Sequence, residues 1–330
     1  MNNFLKYSKK KIPKELFPAK KKNYICPVCG NINKKIYFKS IYKDASFPNF
    51  THNKCKFCNS IYIINNISDD QLSYLHDRYY ENYENFSFNY FESIKRTEKH
   101  RENEWYKYYK NKLSKIKTVE KKNSLDIGCG WGSCVSAFKK LGFDSYGIDP
   151  QRQCIVSAKK KFKNSKFYNF GIEDLILNKK FHNFFSVITM HDVLEHIANP
   201  GLIIKNIRLL IKKNGYLFIK VPNSESLQVL LLKQYSWEVS APFHRTLFSK
   251  KGLNFLMKKN GFKIIKYFND SNSWGWTRGL SIKNNIGKSY IKLRNNINFR
   301  KFDLSIDLLL EHISKLYDKE TVIFLKLKKK

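Results

Sequence analysis

From residue 123 onward the sequence alternates between short apolar segments and amphipathic ones, and this alternation constrains the fold most. Six apolar segments read as strands, and the last ten residues are a candidate seventh: "SLDIG", "DSYGID", "SKFYNF", "FFSVITM", "GYLFIKVPN", "KIIKYF" and "TVIFLKLKKK". Helical segments lie between them, two of which are closed by Gly142 and Gly261. Because parallel strands need crossover helices, the pattern predicts an α/β fold with a doubly wound, Rossmann-like parallel sheet of seven strands.

A glycine-rich loop, "LDIGCGWG", joins the first strand to the first helix. In sheets of this kind ligands bind at the carboxyl ends of the strands, and a glycine loop lets a ligand approach the main chain beside a positive helix N-terminus. Gly128, Gly130 and Gly132 form G-x-G-x-G, whereas a dinucleotide fingerprint is G-x-G-x-x-G and would need a glycine at Ser133. The loop therefore predicts a nucleoside ligand and argues against a dinucleotide.

Two acidic residues narrow the choice of ligand. Asp149 ends the second strand, about 20 residues beyond the loop, where an acid accepts hydrogen bonds from a ribose diol. Asp126 precedes the glycines and would repel a pyrophosphate, but it tolerates an ammonium group. A ligand with both a ribose and an amino acid end is expected, and S-adenosylmethionine has both.

From about Tyr106 the sequence resembles the class I S-adenosylmethionine-dependent methyltransferases. "LDIGCGWG" and "GIDP" match the first two motifs of that superfamily, "FGIEDL" is similar to its adenine-side segment, and "FSVITMHDVLEHIANP" to its fourth-strand motif. The resemblance implies a set of cofactor contacts: Asp126, Gly128, Cys129, Gly130, Gly132, Asp149, Pro150, Ile172, Glu173 and Met190.

The sequence departs from the family pattern at two positions. Ser186 follows Phe185 where the family usually has Asp, and Gly171 precedes Ile172 where an acid often meets the adenine amine. The adenine contact is therefore expected to pass to Glu173 or to the main chain of Ile172.

Histidine is the usual general base for a hydroxyl or an acidic carbon. His244, in "SAPFHRTLFS" between the fifth strand and the next helix, is the first candidate, and the resemblance also implies a histidine there. His191, directly after the fourth strand, is the second. His196, in "VLEH", is interpreted as a capping or packing residue on the following helix. Glu195 is interpreted as a structural helix residue, with the orientation of a base as the alternative. Cys129, like the two helix cysteines, is interpreted as a small packing residue.

Two Cys-x-x-Cys pairs lie near the N-terminus: Cys26 with Cys29, and Cys55 with Cys58. Four thiolates suit a tetrahedral Zn²⁺ and leave no open position, so a structural zinc ribbon is predicted, with a redox Cys-x-x-Cys as the alternative. Gly30 and Asn59 follow the pairs and are residue types that tolerate a left-handed backbone. The segments "KKIYFKSIYK" and "IYIIN" are predicted strands of this ribbon.

The combination of a zinc segment, a Tyr-rich connector and this core is similar to methyltransferases of bacterial polysaccharide and natural-product clusters, including sugar C-methyltransferases. The resemblance implies a small-molecule acceptor, a sugar or sugar nucleotide of surface polysaccharide biosynthesis, methylated on oxygen or on carbon. Two alternatives stay open. The net charge of +35 suits an RNA methyltransferase, although lysine-rich composition along the whole chain also explains it, and the chain could instead be a non-catalytic cofactor-binding protein.

The sequence divides into a series of expected segments. No apolar run is long enough to span a bilayer and no secretion signal is recognisable, so a cytoplasmic protein is expected. The boundaries are a basic tail at 1–22, the ribbon at 23–65, an aromatic connector with a helix at 66–118, the methyltransferase core at 119–270, an insertion at 271–318 and a final core strand at 319–330.

Overall fold

The structure is a computed structural model of the 330-residue chain. It describes residues 24–39, 50–65, 68, 72, 88–113, 123–236, 238–268, 305–310, 312–313 and 322–329. The basic tail and most of the predicted connector and insertion lie outside the described residues, so the expectations for these segments stay predictions.

Seven strands form the larger sheet, as the alternating pattern predicted. Along the chain they are β4 (Asn123–Ile127), β5 (Asp144–Ile148), β6 (Lys166–Tyr168), β7 (Phe185–His191), β8 (Ile211–Pro222), β10 (Phe262–Phe268) and β11 (Val322–Lys329). Their order across the sheet is β10-β11-β8-β7-β4-β5-β6. Strand order reverses on either side of β4, which places the carboxyl ends of β4, β5 and β7 around one crevice.

One strand departs from the expected parallel arrangement. β4, β5, β6, β7 and β8 pair in parallel, but β11 is antiparallel to both of its neighbours, β8 and β10. An antiparallel neighbour needs no crossover helix, so helix–strand alternation carries no information about this strand. β8 also begins four positions earlier than predicted, at Ile211 rather than at Gly215.

Seven α-helices lie wholly within the described part of the chain, and the first three and the last lie on segments predicted to be helical. They are α1 (Phe88–Leu113), α2 (Ser133–Lys140), α3 (Arg152–Lys161), α4 (Ile172–Leu177), α5 (Pro200–Leu210), α6 (Leu227–Leu232) and α7 (Lys250–Lys259). Gly142 and Gly261 follow α2 and α7 in left-handed conformation, with φ of 86° and 75°, as expected for glycines that close helices. Leu125, Ile148, Ile188 and Leu217 are at most 1% exposed in the core cluster of the sheet, so α2 to α7 cover a closed apolar interior.

A second, smaller sheet contains β1 (Lys34–Lys39), β2 (Thr51–Cys55), β3 (Ile61–Ile63) and β9 (Thr246–Leu247), in that order and antiparallel throughout. β1 and β3 are the two strands predicted for the ribbon. We use "the ribbon" for residues 24–39 and 50–65. Its fourth strand, β9, comes from the segment between β8 and α7, and nothing in the sequence pattern indicated that pairing.

The N-terminus of α2 depends on a glycine. Gly132 is the N-cap residue with φ of 87°, and a Cβ built there would lie 2.8 Å from the Phe167 ring and 3.0 Å from the Ala158 Cβ. A side chain at this position would therefore strain the main chain and also collide with the packing between α3 and β6.

We expect Gly132→Ala to destabilise the protein more than Gly142→Ala. The control position has almost the same φ, 86°, but open space around its Cβ. Strain alone should cost about 1 kcal/mol at Gly142, and overpacking should add about 1–3 kcal/mol at Gly132. Urea unfolding of both variants measures the difference, and equal losses would contradict the packing account.

Candidate cofactor and acceptor site

The glycine loop is anchored to β5 and leaves one side open. The main-chain N–H groups of Gly128 and Cys129 donate to the Ile148 carbonyl at 2.9 and 3.0 Å. A Cβ at Gly128 would lie 2.3 Å from the Val193 side chain, whereas a Cβ at Gly130 would meet nothing within 4 Å. The loop is therefore closed against the turn after β7 and open at Gly130, which fits a ligand that rests against the main chain.

Asp149 lies at the end of β5 and is 8% exposed. Its two carboxylate oxygens accept main-chain hydrogen bonds from Gly130 and from Gln151, both at 2.8 Å. Burial raises the pKa of this carboxyl, and the two N–H groups oppose that shift. The carboxylate is thus held in one orientation beside the open part of the loop, as a group that accepts hydrogen bonds from a ribose diol requires.

Asp126 is buried at the centre of the same edge. Its Oδ1 accepts a hydrogen bond from the Thr189 hydroxyl at 2.6 Å and lies 3.9 Å from His191 Nδ1. Burial is the largest influence and raises the pKa of Asp126 to about 7, while the Thr189 hydrogen bond acts in the opposite direction. A cation placed beside this carboxyl would favour its charged form.

His191 belongs to an aromatic group formed with α1. Its ring stacks on Trp105 with 4.4 Å between centroids, and its Nε2 lies 2.7 Å from the Tyr109 hydroxyl. Burial lowers the pKa of His191 to about 3. Sequence reasoning did not find Trp105 or Tyr109. Their spacing of four residues in "EWYKYY" places both on one face of a helix, and that signal was available.

The turn after β7 begins with Asp192, whose φ is 55° and whose carboxylate pairs with the Lys220 ammonium at 3.1 Å. His196 ends a single turn of 3₁₀ helix, Leu194–His196, rather than lying on a longer helix as predicted. Glu195, in the same turn, is 0% exposed, and neither of its carboxylate oxygens has a hydrogen-bond partner among the described residues. Glu195 is therefore a buried acid on a 3₁₀ turn, and its role, as a structural residue or as a group that orients a base, stays a prediction.

The structure brings His244 to this turn, and not to the His191 group. The His196 and His244 rings contact each other edge to face at 5.0 Å. A carboxylate oxygen of Glu195 and one ring nitrogen of each histidine lie within 4.8 Å of one another. A cluster of three titratable groups thus forms next to Val193, the residue that covers the glycine loop.

Backbone carbonyls fix the tautomer of both histidines. His244 Nδ1 donates to the Glu238 carbonyl, and His196 Nδ1 donates to the Phe243 carbonyl, each at 2.7 Å. A carbonyl only accepts, so in both neutral rings the proton is on Nδ1 and the lone pair is on Nε2. Burial is the main influence on His244 and lowers its pKa, whereas the Glu238 hydrogen bond and the charge of Asp192 act in the opposite direction.

The remaining predicted cofactor residues differ in exposure. Ile172 begins α4 and is 4% exposed, whereas Glu173 is exposed. Gly171 stands where the family often has an acid, and its N–H donates to the Asp174 carboxylate at 3.1 Å. The Asn169 amide holds the Pro150 carbonyl at 2.7 Å. Met190 and Cys129 are 0% and 8% exposed and pack inside the core clusters, so their side chains act as packing groups.

The four cysteines of the ribbon converge. Cys26 and Cys58, and likewise Cys29 and Cys55, have sulfur atoms 3.6 Å apart, and all four sulfurs lie within 4.8 Å of one another. Zn–S bonds of about 2.3 Å in a tetrahedron place sulfurs about 3.8 Å apart, so the group fits one Zn²⁺. The residues after each pair, Gly30 and Asn59, have φ of 75° and 62°, as the sequence predicted.

Residues 98–267 match a family described as "Methyltransferase domain". This match covers more than half of the chain. The chain belongs to the methyltransferase-domain family. Its strand order and its cofactor crevice are those of the class I fold, and it is an S-adenosylmethionine-dependent methyltransferase. The expectations for the fold, for S-adenosylmethionine as the cofactor and for the reaction class are confirmed.

Curated relatives name one activity. The ubiquinone biosynthesis O-methyltransferase of Coxiella burnetii (strain Dugway 5J108-111) is 27% identical over 200 residues, 60% of this chain and 77% of that protein. The protein of the same name from Pelagibacter ubique (strain HTCC1062) is 30% identical over 177 residues, 48% of this chain and 70% of that protein. A solved SAM-dependent methyltransferase from Archaeoglobus fulgidus aligns over 68% of this chain and 94% of its own, with 19% identity and a TM-score of 0.44.

None of the helices in the described part of the chain combines the length and the apolar character that crossing a bilayer requires.

The burial of His191 predicts acid sensitivity. Its pKa is about 3 in the folded protein and about 6.5 in the unfolded chain, so its contribution to stability is complete above pH 6.5 and falls as the pH drops toward 3. We expect His191→Phe to be less stable at pH 7.5, because Tyr109 loses its partner, but to lose less stability between pH 6.5 and 4.5. Chemical denaturation at each pH tests this, with His100→Phe on the exposed face of α1 as the control. Parallel curves for His191→Phe and the wild type would refute it.

Proposed function

We propose that the protein transfers the methyl group of S-adenosylmethionine to a hydroxyl group of a small-molecule acceptor. The observation that carries the proposal is the cluster of Glu195, His196 and His244 at the turn that covers the glycine loop. The Nδ1 atoms of the two histidines donate to main-chain carbonyls, which fix the orientation of both rings. A hydroxyl must lose its proton as it is methylated, and an imidazole with a fixed tautomer suits that task. The relatives named as O-methyltransferases support a hydroxyl acceptor.

The residues at the carboxyl ends of β4 and β5 fit the cofactor. In the proposal the Asp149 carboxylate accepts hydrogen bonds from the ribose hydroxyls, and Asp126 faces the positively charged methionine end. The open side of Gly130 receives that end against the main chain, beside the N-terminus of α2. Ile172 and Glu173 border the adenine. When bound, the cofactor supplies a methyl group on a sulfonium, which needs no further activation.

His244 is the proposed proton acceptor. Its Nε2 takes the hydroxyl proton, while Nδ1–H continues to donate to the Glu238 carbonyl and holds the ring in place. The Asp192 carboxylate lies at the start of the same turn, and its charge favours the imidazolium that forms. His191 is the weaker candidate, because its Nε2 already contacts the Tyr109 hydroxyl and its ring stacks on Trp105.

The identity of the acceptor is the finer part of the proposal. The resemblance to polysaccharide-cluster enzymes favours a sugar or sugar nucleotide, whereas the relatives' names refer to ubiquinone biosynthesis. Both classes carry hydroxyl groups, so the panel of test acceptors contains members of both classes and a catechol. RNA is a second candidate, supported by the charge of +35; an RNA acceptor should bind with a steep salt dependence. A cytoplasmic site of action is part of the proposal, and it is supported by the seven cysteines, none of which forms a disulfide.

Cofactor binding and transfer should separate in two variants. We expect Asp149→Asn to weaken S-adenosylmethionine binding about 10-fold or more, and His244→Gln to leave that binding unchanged while lowering kcat about 100-fold. Because burial lowers the pKa of His244, the acid limb of the wild-type kcat profile should have its midpoint below pH 6.5.

Calorimetry with S-adenosylmethionine and labelled methyl transfer to the acceptor panel measure the two steps, and His100→Gln is the control. A wild-type protein that binds the cofactor but methylates no member of the panel or of a cell extract would favour the non-catalytic alternative. Loss of cofactor binding in His244→Gln would contradict the division of roles.

We also propose that the four ribbon cysteines hold a structural Zn²⁺, in accord with their spacing and geometry. Elemental analysis should find one zinc per chain, and Cys26→Ser with Cys58→Ser should remove it and lower the melting temperature. Cys134→Ser, in α2, is the matched control and should retain the metal. A redox Cys-x-x-Cys would instead give metal-free protein that forms a disulfide on mild oxidation.

A further inference from the structure

The ribbon is joined to the methyltransferase core by the segment that follows His244. We call residues 245–249 the bridging segment. Its first residue, Arg245, donates its main-chain N–H to the Glu195 carbonyl at 2.8 Å, and its own carbonyl accepts the N–H of Ile63 at 3.0 Å. One residue next to His244 is thus bonded through its N–H to the candidate acceptor cluster and through its carbonyl to the ribbon.

The next residues of the bridging segment form β9, which pairs only with β3 in the described sheet. Thr246 pairs with Tyr62, and Leu247 pairs with Ile61. β9 has two residues and β3 has three. Such a short pair has little stability of its own. The next residue, Phe248, bonds to the core through the Pro222 carbonyl and the Ser224 N–H, at 3.1 and 2.8 Å, so the position of β9 is set by the ribbon on one side and by the core at Phe248.

The bridging segment ends on the second cysteine knuckle. Ser249 donates its hydroxyl to the Cys58 carbonyl and its main-chain N–H to the Ser60 hydroxyl, the latter at 3.3 Å. Both serines are 0% exposed. Asn59, between Cys58 and Ser60, also contacts the core. Its main-chain carbonyl accepts from the Ser224 hydroxyl at 3.0 Å, and its side-chain amide donates to the Glu225 carboxylate at 3.0 Å. The second knuckle, which supplies two of the four sulfurs, is therefore hydrogen-bonded to both ends of the core segment 224–249.

The cofactor residues are held differently. The hydrogen bonds described above for Asp126 and Asp149 come from Thr189, Gly130 and Gln151, all of which belong to the seven-stranded sheet or its loops. The ribbon contributes to none of these bonds. Loss of order in the ribbon would consequently reach His244 before it reaches the cofactor crevice.

We propose that the ribbon positions the acceptor side of the enzyme. The Cys26/Cys29/Cys55/Cys58 centre holds β3 and the second knuckle in place, and these hold the bridging segment. The bridging segment in turn holds His244 against Glu195 and His196. Ser60 and Ser249 are positioning residues in this arrangement. Occupancy of the cysteine centre therefore controls methyl transfer and not cofactor binding. This inference rests on the proposed function in taking His244 as the proton acceptor and in placing a Zn²⁺ on the four ribbon cysteines.

The test uses a variant that leaves the cysteines intact. Ser60→Ala removes the acceptor of the Ser249 N–H but keeps the α7 N-cap, in which Ser249 accepts from the Gly252 N–H at 2.8 Å. Ser226→Ala is the matched control, because Ser226 is equally buried and caps α6 without touching the ribbon in any hydrogen bond described here. Removal of the metal from wild-type protein with a chelator is the stronger perturbation.

Three quantities are measured: cofactor affinity by calorimetry, kcat, and the NMR signal of the His244 Nδ1–H, assigned by its absence in His244→Gln. We expect Ser60→Ala and the chelated protein to bind S-adenosylmethionine within about twofold of the wild type. We expect kcat to fall about 10-fold or more, since small misplacement of a reacting group is costly, and the His244 signal to shift or broaden. Ser226→Ala should change neither kcat nor the signal.

Two results would overturn the inference. One is a His244 signal unchanged in both Ser60→Ala and the chelated protein. The other is a parallel loss of cofactor affinity and kcat, which would make the ribbon a general support of the fold. If wild-type protein methylates no acceptor, the proposed function fails, but the NMR signal still decides whether the ribbon positions His244.

Discussion

The pairing of β4 with β5 on one side and β7 on the other is the constraint on which the site depends. Parallel strands end at the same edge of a sheet, so the register Ile127↔Ile148 and Ile127↔Met190 brings the ends of three strands together. The glycine loop, Asp149 and the turn containing Glu195 each begin within a few residues of these ends. A shift of register between β4 and β5 would separate the open side of Gly130 from the Asp149 carboxylate that receives its N–H.

Several charged or titratable groups are buried at this edge, and all but one of those discussed above have a specific compensation. Asp149 accepts two main-chain N–H bonds, and Asp126 accepts the Thr189 hydroxyl. His191 is held neutral between Trp105 and Tyr109. Glu195 is the exception, because its carboxylate has no hydrogen-bond partner among the described residues. Buried polar groups without partners are costly, and they concentrate at sites where a substrate or a proton is handled.

The ribbon changes how the acceptor side is built. A methyltransferase sheet supplies the cofactor crevice from its own strands, but here the segment after His244 leaves the core and becomes the fourth strand of the ribbon sheet. A small sheet of this kind, with three short antiparallel strands of its own, has little apolar interior and is a natural place for a metal to supply stability. The two parts of the chain are therefore linked by hydrogen bonds at the point where the proposed proton acceptor lies.

The sequence by itself determined the features that local chemistry encodes. Strand–helix alternation, the G-x-G-x-G loop with Asp126 and Asp149, and the two Cys-x-x-Cys pairs each reflect a period, a backbone conformation or a ligand set that a short segment carries. Only the tertiary structure decided which distant groups meet. The direction of β11, the pairing of β9 with β3, the stacking of His191 on Trp105 and the meeting of His244 with Glu195 join segments far apart in the chain. Local periodicity is silent on such contacts, because they arise only when the sheet and the ribbon are packed together.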